Sequence, residues 1–267
     1  MDAASTYSPF RIAAVSYLNA RPLIHGLDAN PDVRLSLAVP SALLGLLRDG
    51  QADVALLPVI DYQRLDDLMI IPAGGIGSDG PTLTVRIFSR VPVAQIRSLA
   101  CDPDSHTSVA LARIILARRH NLRPEFCDLS RAADDDAHQA RLLIGDKVVC
   151  EEPRGFGHQL DLGSEWTALT GLPFVFAVWM SRGGMDAKQL YSHLERAKQA
   201  GVQNIERIVR DHAIPRGWPA ELARKYLTEN LRYDVGPREI EAIRRFHDLA
   251  ADEGIIPTVR ELNALIP

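Results

Sequence analysis

The chain has 267 residues, of which 46% are hydrophobic and 24% are charged, and it is long enough for one large domain or two lobes. Its net charge of −4 argues against a general nucleic-acid binder, which needs a basic face to displace counterions. The sequence contains no membrane-spanning apolar run and no secretory signal, so it predicts a cytoplasmic protein without a membrane partner.

The first predicted strand, Ile12 to Val15, is a short apolar run suited to a buried parallel strand. Asn19 is predicted to cap a helix that follows it, because the first turn of a helix tolerates a proline such as Pro22. Ser16, Tyr17 and Asn19 then stand at the carboxyl end of the strand, where open α/β sheets bind ligands. The alternative is an ordinary strand-to-helix turn without a function.

A second strand, Val33 to Val39, and a helix from Ala42 to Arg48 with Ser41 as its cap are predicted next. The third strand, Val54 to Leu57, runs into Pro58, which cannot donate to a central ladder and so marks the end of the strand. Alternating strands and helices predict a parallel, doubly wound sheet. Pro58 is therefore expected at the same sheet edge as the first loop.

The segment Gly74–Gly80 contains a literal G-x-G-x-x-G pattern. A dinucleotide site is rejected, because that fingerprint needs a helix directly after the glycines and Pro81–Phe88 has the pattern of a strand. The segment, including Ser78, is predicted to be a flexible loop. Thr82 and Thr84 share one face of the strand by period two and offer hydroxyl donors, with ordinary half-exposed threonines as the alternative.

The second strand–helix unit places several hydroxyl groups at one helix start. A strand from Ser98 to Cys101 is followed by Ser105, His106, Thr107 and Ser108, which open the next helix. Free backbone N–H groups and the positive end of the helix dipole make such a turn a natural carboxylate site. Capping by a single hydroxyl is the alternative, although it explains only one of them.

A carboxylate is predicted at the edge of this second unit. The strand Leu142 to Ile144 ends in Gly145 and Asp146, which makes Asp146 a candidate catalytic group. The alternative is a loop carboxylate that binds backbone N–H groups. The acidic run Asp134–Asp136 is predicted to be a solvated helix start rather than a metal site.

The rest of the chain is predicted to support the fold. An apolar strand, Phe174 to Trp179, is expected to cross between lobes, and from Asp186 onward the chain is expected to be mostly helical packing without chemistry. The 3 cysteines form no Cys-x-x-Cys motif and are predicted to be buried, reduced thiols. The 8 histidines form no zinc motif, so no metal is expected.

The stretch Ser16–Leu23, with the sequence SYLNARPL, resembles the opening signature of the chorismate dehydratases of the futalosine route to menaquinone. The similarity runs in order over about residues 10 to 182. A sister family, which forms a dihydroxynaphthoate later in the same route, carries a Pro-Asn-Asp type motif in its first loop that this chain lacks. The further blocks that agree with the dehydratases are residues 54–59, 75–90, 102–108 and 161–179.

The resemblance implies an α/β fold of the periplasmic-binding-protein type II kind, with two lobes and a cleft between them. Residues 1–88 and 180–267 would form the first lobe with helical C-terminal bracing, and residues 89–179 the second lobe, inserted through two crossing strands. Composition and pattern alone support only an α/β protein with a second lobe, and a fold does not fix a function.

The resemblance also implies a hydro-lyase that removes water from chorismate to give 3-[(1-carboxyvinyl)oxy]benzoate. The ring proton at C3 and the hydroxyl at C4 are lost, aromatisation supplies the driving force, and no cofactor is needed. The only partner implied is the small dicarboxylate substrate. The residues expected in catalysis are Asn19 and Asp146, and those expected in substrate binding are Ser16, Tyr17, Pro58, Ser78, Thr82, Thr84, Ser105, His106, Thr107 and Ser108.

The proton acceptor is left open. One hypothesis is that the enolpyruvyl carboxylate of the substrate acts as the base while Asn19 holds it, and the competing bases are Asp146 and His106, which stands where the family often has arginine. The rival from another class is a solute-binding or sensor protein that closes on a small carboxylate without chemistry. The sister enzyme of the same route is a further alternative.

Overall fold

The computed structural model describes residues 8–129, 138–151, 153–183 and 187–265, so the acidic run Asp134–Asp136 lies outside the described residues. Two five-stranded sheets form the framework. The described strands are β1 (Phe10–Val15), β2 (Val33–Ala38), β3 (Val54–Pro58), β4 (Leu68–Ser78), β5 (Val85–Ser89), β6 (Ser98–Cys101), β7 (Glu125–Asp128), β8 (Ala140–Ile144), β9 (His158–Asp161) and β10 (Phe174–Arg182). The described α-helices are α1 (Pro40–Arg48), α2 (His106–His120), α3 (Lys147–Cys150), α4 (Leu162–Thr170), α5 (Ala187–Gln203), α6 (Ile205–Ile208), α7 (Ala220–Lys225) and α8 (Pro237–Asp252).

The first sheet has the strand order β2-β1-β3-β10-β4. Strand β1 pairs in parallel with β2 and with β3, whereas β10 lies antiparallel between β3 and β4. The predicted parallel arrangement therefore holds for the first three strands and is wrong for β10. Because β1 and β3 are parallel neighbours, the first loop after β1 and Pro58, the last residue of β3, lie at the same edge of the sheet.

The second sheet has the order β7-β6-β8-β5-β9. Strand β6 pairs in parallel with β7 and β8, while β5 lies antiparallel between β8 and β9. The parallel strands β6 and β8 end next to the segments that carry Ser105 and Asp146. The second sheet thus repeats the design of the first, with candidate residues at the carboxyl ends of adjacent parallel strands.

The chain changes sheets in two short connections. It leaves the first sheet between β4 and β5 and returns between α4 and β10. Strands β5 and β10, expected to cross between the lobes, each pair on both sides within a single sheet, so neither strand can span the two sheets. The changes of sheet therefore fall at residues 79–84 and 171–173, and not at the predicted positions 88 and 179.

The glycine-rich segment is a strand and not the predicted flexible loop. Gly75 and Gly77 lie in β4. A Cβ on Gly75 would come 2.7 Å from the Ala177 carbonyl oxygen of β10, and a Cβ on Gly77 would come 2.8 Å from the Phe174 carbonyl oxygen of β10. Glycine is needed here because β10 approaches closely. No helix lies between this strand and β5 in the described chain, which agrees with the rejection of a dinucleotide fingerprint.

Two predicted helix caps are wrong. The turn after β1 is a 3₁₀ helix, Leu18–Ile24, so Asn19 lies inside it, and its N-cap Tyr17 makes no side-chain capping bond. Helix α1 begins with Pro40, and Ser41 does not cap it. Proline suits the first helical position because its φ angle is already helical and its missing N–H would have had no partner.

The C-terminal helices brace the first sheet. Helix α5 packs against the Leu18–Ile24 turn and against β4, and α8 packs against β10 and α2. Gly201 of α5 lies directly on the Pro22 backbone and is a contact point between α5 and the Leu18–Ile24 turn. No helix of the described chain is long and apolar enough to cross a membrane.

The cysteines differ in their exposure. Cys101 is buried, Cys127 is half-buried and Cys150 is exposed, so the prediction of three buried thiols holds only for Cys101. Cys150 ends the short surface helix α3, which leaves its side chain in solvent. Burial raises the pKa of the Cys101 thiol to about 12, so this thiol stays protonated near neutral pH.

Candidate functional site

A cavity lined by residues of both sheets lies at the strand ends. The empty space in it is about 540 Å³, a volume that includes its opening to solvent. Among the described residues that line it, none has a side chain that is charged at neutral pH. The lining residues are Val15, Tyr17, Asn19, Pro40, Leu56, Pro58, Ile76, Thr82, Thr84, Val85, Ser105, Thr107, Ser108, Ile144, Gly145, Phe176, Ala177, Tyr226 and Leu231.

The cavity brings together most of the residues singled out in the sequence, from loops far apart in the chain. Those that line it are Tyr17, Asn19, Pro58, Thr82, Thr84, Ser105, Thr107 and Ser108. Those that do not line it are Ser16, Ser78, His106 and Asp146.

The start of helix α2 presents hydroxyl groups to the cavity. Ser105 caps the helix, as predicted, by accepting a hydrogen bond from the Ser108 amide at 3.1 Å. Thr107 Oγ1 accepts from the Ile60 amide at 3.4 Å. A hydroxyl that accepts a hydrogen bond still has its own hydrogen to donate, so Ser105 and Thr107 each keep one donor.

Thr82 and Thr84 reach the cavity from a bend and not from the predicted strand. Asp161 fixes the bend, since its carboxylate accepts from the Thr82 amide at 3.0 Å and from the Leu83 amide at 2.8 Å. Leu83, between the two threonines, has a φ of 66°, which bends the backbone there, and both threonines line the cavity. Asp161 also accepts from the Gly163 amide at 3.1 Å and so caps α4.

Sequence reasoning missed Tyr226, which belongs to the tail that was assigned to packing. Its side chain is 1% exposed, it lines the cavity, and its hydroxyl lies 2.6 Å from Thr84 Oγ1. Burial raises the pKa of Tyr226, whereas hydrogen bonding by Thr84 and Asn19 acts in the opposite direction. The available signal was chemical, because a buried tyrosine needs a partner for its hydroxyl.

Asn19 presents an amide to the same part of the cavity. Within the described chain its Oδ1 atom is buried and has no hydrogen-bond partner. A buried acceptor without a partner costs about 1–3 kcal/mol, which favours a bound ligand that donates to it. Because Asn19 does not cap its turn, its amide is available to a ligand.

Asp146 lies behind the cavity and contacts the first loop. Its Oδ1 accepts from the Leu18 amide at 3.2 Å, and its Oδ2 lies 3.7 Å from Arg216 Nε. Burial raises the pKa of the Asp146 carboxyl, while the Leu18 amide and Arg216 act in the opposite direction. The carboxylate therefore has the geometry of the alternative left open by the sequence, a loop carboxylate bound to backbone N–H.

His106 faces away from the cavity. Its Nδ1 lies 2.9 Å from Asp61 Oδ1, and Arg64 Nη1 lies 3.1 Å from the same oxygen. Asp61 is fully buried. His106 and Arg64 thus hold the Asp61 carboxylate in place between α2 and the turn that follows β3. Ser78 is also buried away from the cavity, at the end of β4.

A second polar network ties the first loop to the other sheet. Tyr17 donates to Asp104 Oδ2 at 3.1 Å, and Lys147 Nζ lies 2.8 Å from Asp104 and 2.9 Å from Asp102. Gly145 has a φ of 63°, and a Cβ there would come 2.8 Å from the Tyr17 ring. The ring and the loop are thereby held against the second sheet, which narrows the cavity.

A family model described as menaquinone biosynthesis matches residues 10–252 of the chain. The chain belongs to this menaquinone-biosynthesis family. It is 29% identical over 250 residues to the chorismate dehydratase of Thermus thermophilus, covering 85% of this chain and 90% of that protein. It is 26% identical over 236 residues to the chorismate dehydratase of Campylobacter jejuni, covering 86% and 88%. The family indicated by the sequence motifs is therefore confirmed.

Solved structures resemble this member of the family in fold. The Archaeoglobus fulgidus protein AF1704 superposes with a TM-score of 0.73 at 15% identity, and the match covers 94% of this chain and 100% of AF1704. The alkanesulfonate-binding protein SsuA of Xanthomonas axonopodis superposes with a TM-score of 0.65 at 15% identity, and the match covers 94% of this chain and 95% of SsuA. A Candida albicans protein with the periplasmic-binding-protein fold superposes with a TM-score of 0.60 at 12% identity, and the match covers 94% of this chain and 92% of that protein. The predicted two-lobed α/β fold is confirmed, and at these identities the likeness concerns the fold alone.

Proposed function

We propose that the chain is a chorismate dehydratase, a carbon–oxygen lyase that removes water from chorismate to give 3-[(1-carboxyvinyl)oxy]benzoate. The observation that carries the proposal is a cavity rich in neutral donors, at the ends of strands from both sheets, in a chain whose relatives bear this name. A cytoplasmic location and the absence of a cofactor stay predictions of the sequence.

The start of α2 is assigned to one substrate carboxylate. Ser105 and Thr107 each keep a hydroxyl hydrogen, and a fifteen-residue helix directs its positive dipole end toward the same place. Hydrogen bonds to a charged group contribute about 1.5–3 kcal/mol each. This part of the cavity can therefore hold an anion without a lysine or arginine.

The chemistry of the lining favours a base that belongs to the substrate. The ionisable groups among the described lining residues are the hydroxyls of Tyr17 and Tyr226, and burial raises the pKa of both. Neither can accept a proton near neutral pH. The enolpyruvyl carboxylate next to C3 is then the proposed acceptor for the ring proton, and Asn19 is the group proposed to orient it.

Enclosure supplies the rest of the proposed mechanism. Contacts of Tyr17 with Asp104 and of Leu18 with Asp146 hold the first loop over the second sheet. A cavity with largely apolar walls limits the access of water and strengthens each hydrogen bond inside it. Positioning and desolvation are the roles proposed for this enclosure, and aromatisation of the ring makes the overall reaction favourable.

The test is a direct assay. Purified protein is mixed with chorismate, without added metal or nucleotide, and the reaction is followed by ultraviolet absorbance and mass spectrometry for the loss of one water. Saturable binding of chorismate without turnover would support the rival reading, a binding protein of the same fold. Absence of both binding and turnover would overturn the proposed substrate.

Replacing Thr107 by valine is expected to weaken the binding of chorismate. Valine keeps the shape of the side chain and removes one donor, so a loss of about 1.5–3 kcal/mol, or roughly 10-fold to 150-fold in Kd, is expected. The measurement is calorimetric titration with the reaction product, which keeps both carboxylates of chorismate and is not turned over. Thr228→Val, which removes an exposed hydroxyl outside the cavity, is the matched control. Parental affinity in Thr107→Val would remove Thr107 from the carboxylate site.

A further inference from the structure

Packing fixes the position of the Tyr226 ring, but this packing does not require the hydroxyl group. Helix α7 continues into a π-helical turn, Tyr226–Asn230, and such turns recur at functional sites. The ring stacks on Trp218 with centroids 5.1 Å apart and planes 18° apart. This stack holds the ring, and a phenylalanine would preserve it. The hydroxyl therefore has a purpose beyond the stack.

The hydroxyls of Tyr226 and Thr84 form a pair that presents a single donor. They lie 2.6 Å apart, so one of them donates to the other. Two hydroxyl groups carry two hydrogens, and their mutual bond uses one. Because both residues line the cavity, the remaining hydrogen can be donated to a ligand whichever group donates within the pair.

The surroundings of the pair suit an uncharged oxygen. Among the described lining residues no cation is present, and burial raises the pKa of Tyr226, which keeps its hydroxyl protonated. The carboxylate-binding features lie instead at the start of α2. Asn19, whose Oδ1 has no partner in the described chain, lines the same cavity as Tyr226 and Thr84 and adds an acceptor to their donor. A donor next to an acceptor is complementary to a substrate hydroxyl.

We propose that Tyr226 is a catalytic residue that acts with Thr84 as one donor to the substrate hydroxyl that leaves. As the C4–O bond breaks, its electron pair moves to the oxygen, and the hydrogen bond from the pair strengthens with the developing charge. Tyr226 keeps its own proton. The proton that completes the water is the one removed from C3, returned by the group that accepted it. This inference rests on the proposed function.

The experiment compares the kinetics of single and double variants with chorismate. Tyr226→Phe is expected to lower kcat by on the order of 10²-fold with a small change in KM, because the lost interaction is strongest in the transition state. Thr84→Val, which removes the other hydroxyl of the pair, is expected to lower kcat by a similar factor. The double variant is expected to lose little more kcat than either single variant. Thr84→Ser is expected to restore most of the turnover lost in Thr84→Val.

Tyr233→Phe is the matched control, because the Tyr233 hydroxyl is buried, has no hydrogen-bond partner in the described chain and does not line the cavity. It is expected to keep parental kcat. Parental kcat in Tyr226→Phe, or fully additive losses in the double variant, would overturn the shared donor and leave the proposed function intact. If the parent protein itself released no water from chorismate, the proposed function and this inference would both be overturned.

Discussion

Asn19→Ala is expected to lower kcat for chorismate dehydration by on the order of 10²-fold or more, with a smaller change in KM. The physical reason is the loss of an amide whose Oδ1 is buried in the cavity wall without a partner in the described chain. An amide both donates and accepts but does not ionise near neutral pH, so it orients a substrate group without taking its proton. Steady-state kinetics with chorismate measure the effect.

The structure makes this variant cleaner than the sequence implied. Asn19 was expected to cap a helix, in which case its loss would destabilise the fold by about 1 kcal/mol. In the 3₁₀ turn it makes no capping bond, so Asn19→Ala is expected to lose no capping stability, and thermal unfolding measures this. Asn204→Ala, which removes an exposed amide, is the control. A folded Asn19→Ala protein with parental kcat would remove Asn19 from the mechanism.

Asn19→Asp separates the two candidate sources of the base. If Asn19 holds a substrate carboxylate, a negative charge in its place repels that carboxylate in a cavity whose described lining offers no cation, so binding and turnover are both expected to fail. Burial raises the pKa of the new carboxyl, and the loss should therefore deepen as the pH rises from roughly 6 to 9. Retained or increased turnover would instead indicate a protein base.

The parts of the site that the sequence predicts are those that strand order dictates. Asn19 follows β1 and Pro58 ends β3 in the first sheet, and Ser105 follows β6 in the second. Within each sheet the carboxyl ends of parallel neighbours meet at one edge, so these positions at the sheet edges are a consequence of topology. The hydrophobic period and the turn residues in the sequence are therefore sufficient to predict where such residues lie.

The parts that the sequence does not predict depend on contacts between distant segments. Gly75 is compatible with a loop locally, and only the approach of β10 makes it a strand residue. Asp146 follows its strand as expected, but the Leu18 amide and Arg216 draw its carboxylate away from the cavity. Tyr226 belongs to a helical segment with no motif, and it becomes a site residue because the bend fixed by Asp161 directs Thr84 toward it.

Gly201→Ala is expected to be the most disruptive small change in the protein. A Cβ at Gly201 would overlap the Pro22 carbonyl oxygen and lie 2.6 Å from the Pro22 Cα. These are backbone atoms of the turn that carries Asn19, so they cannot rotate away as a flexible side chain would. Relief requires α5 and the turn to separate. Overpacking of this kind costs about 1–3 kcal/mol or more in the free energy of unfolding.

Both stability and turnover are expected to fall in Gly201→Ala. For a chain of this size, a loss of about 3 kcal/mol lowers Tm by roughly 6–12 °C. The displaced turn moves Asn19 within the cavity, so kcat should fall even at temperatures where the variant remains folded. Thermal unfolding followed by circular dichroism, together with the chorismate assay, measures the two effects separately.

Gly45→Ala is the matched control, because it is the same substitution inside another helix, α1, where a Cβ meets nothing within 4 Å. It is expected to raise the free energy of unfolding by about 0.5–1 kcal/mol, since alanine loses less backbone entropy than glycine on folding. The two variants should therefore shift Tm in opposite directions. Equal and small shifts in both would mean that α5 does not press on Pro22, and the packing that fixes the Asn19 turn would need another source.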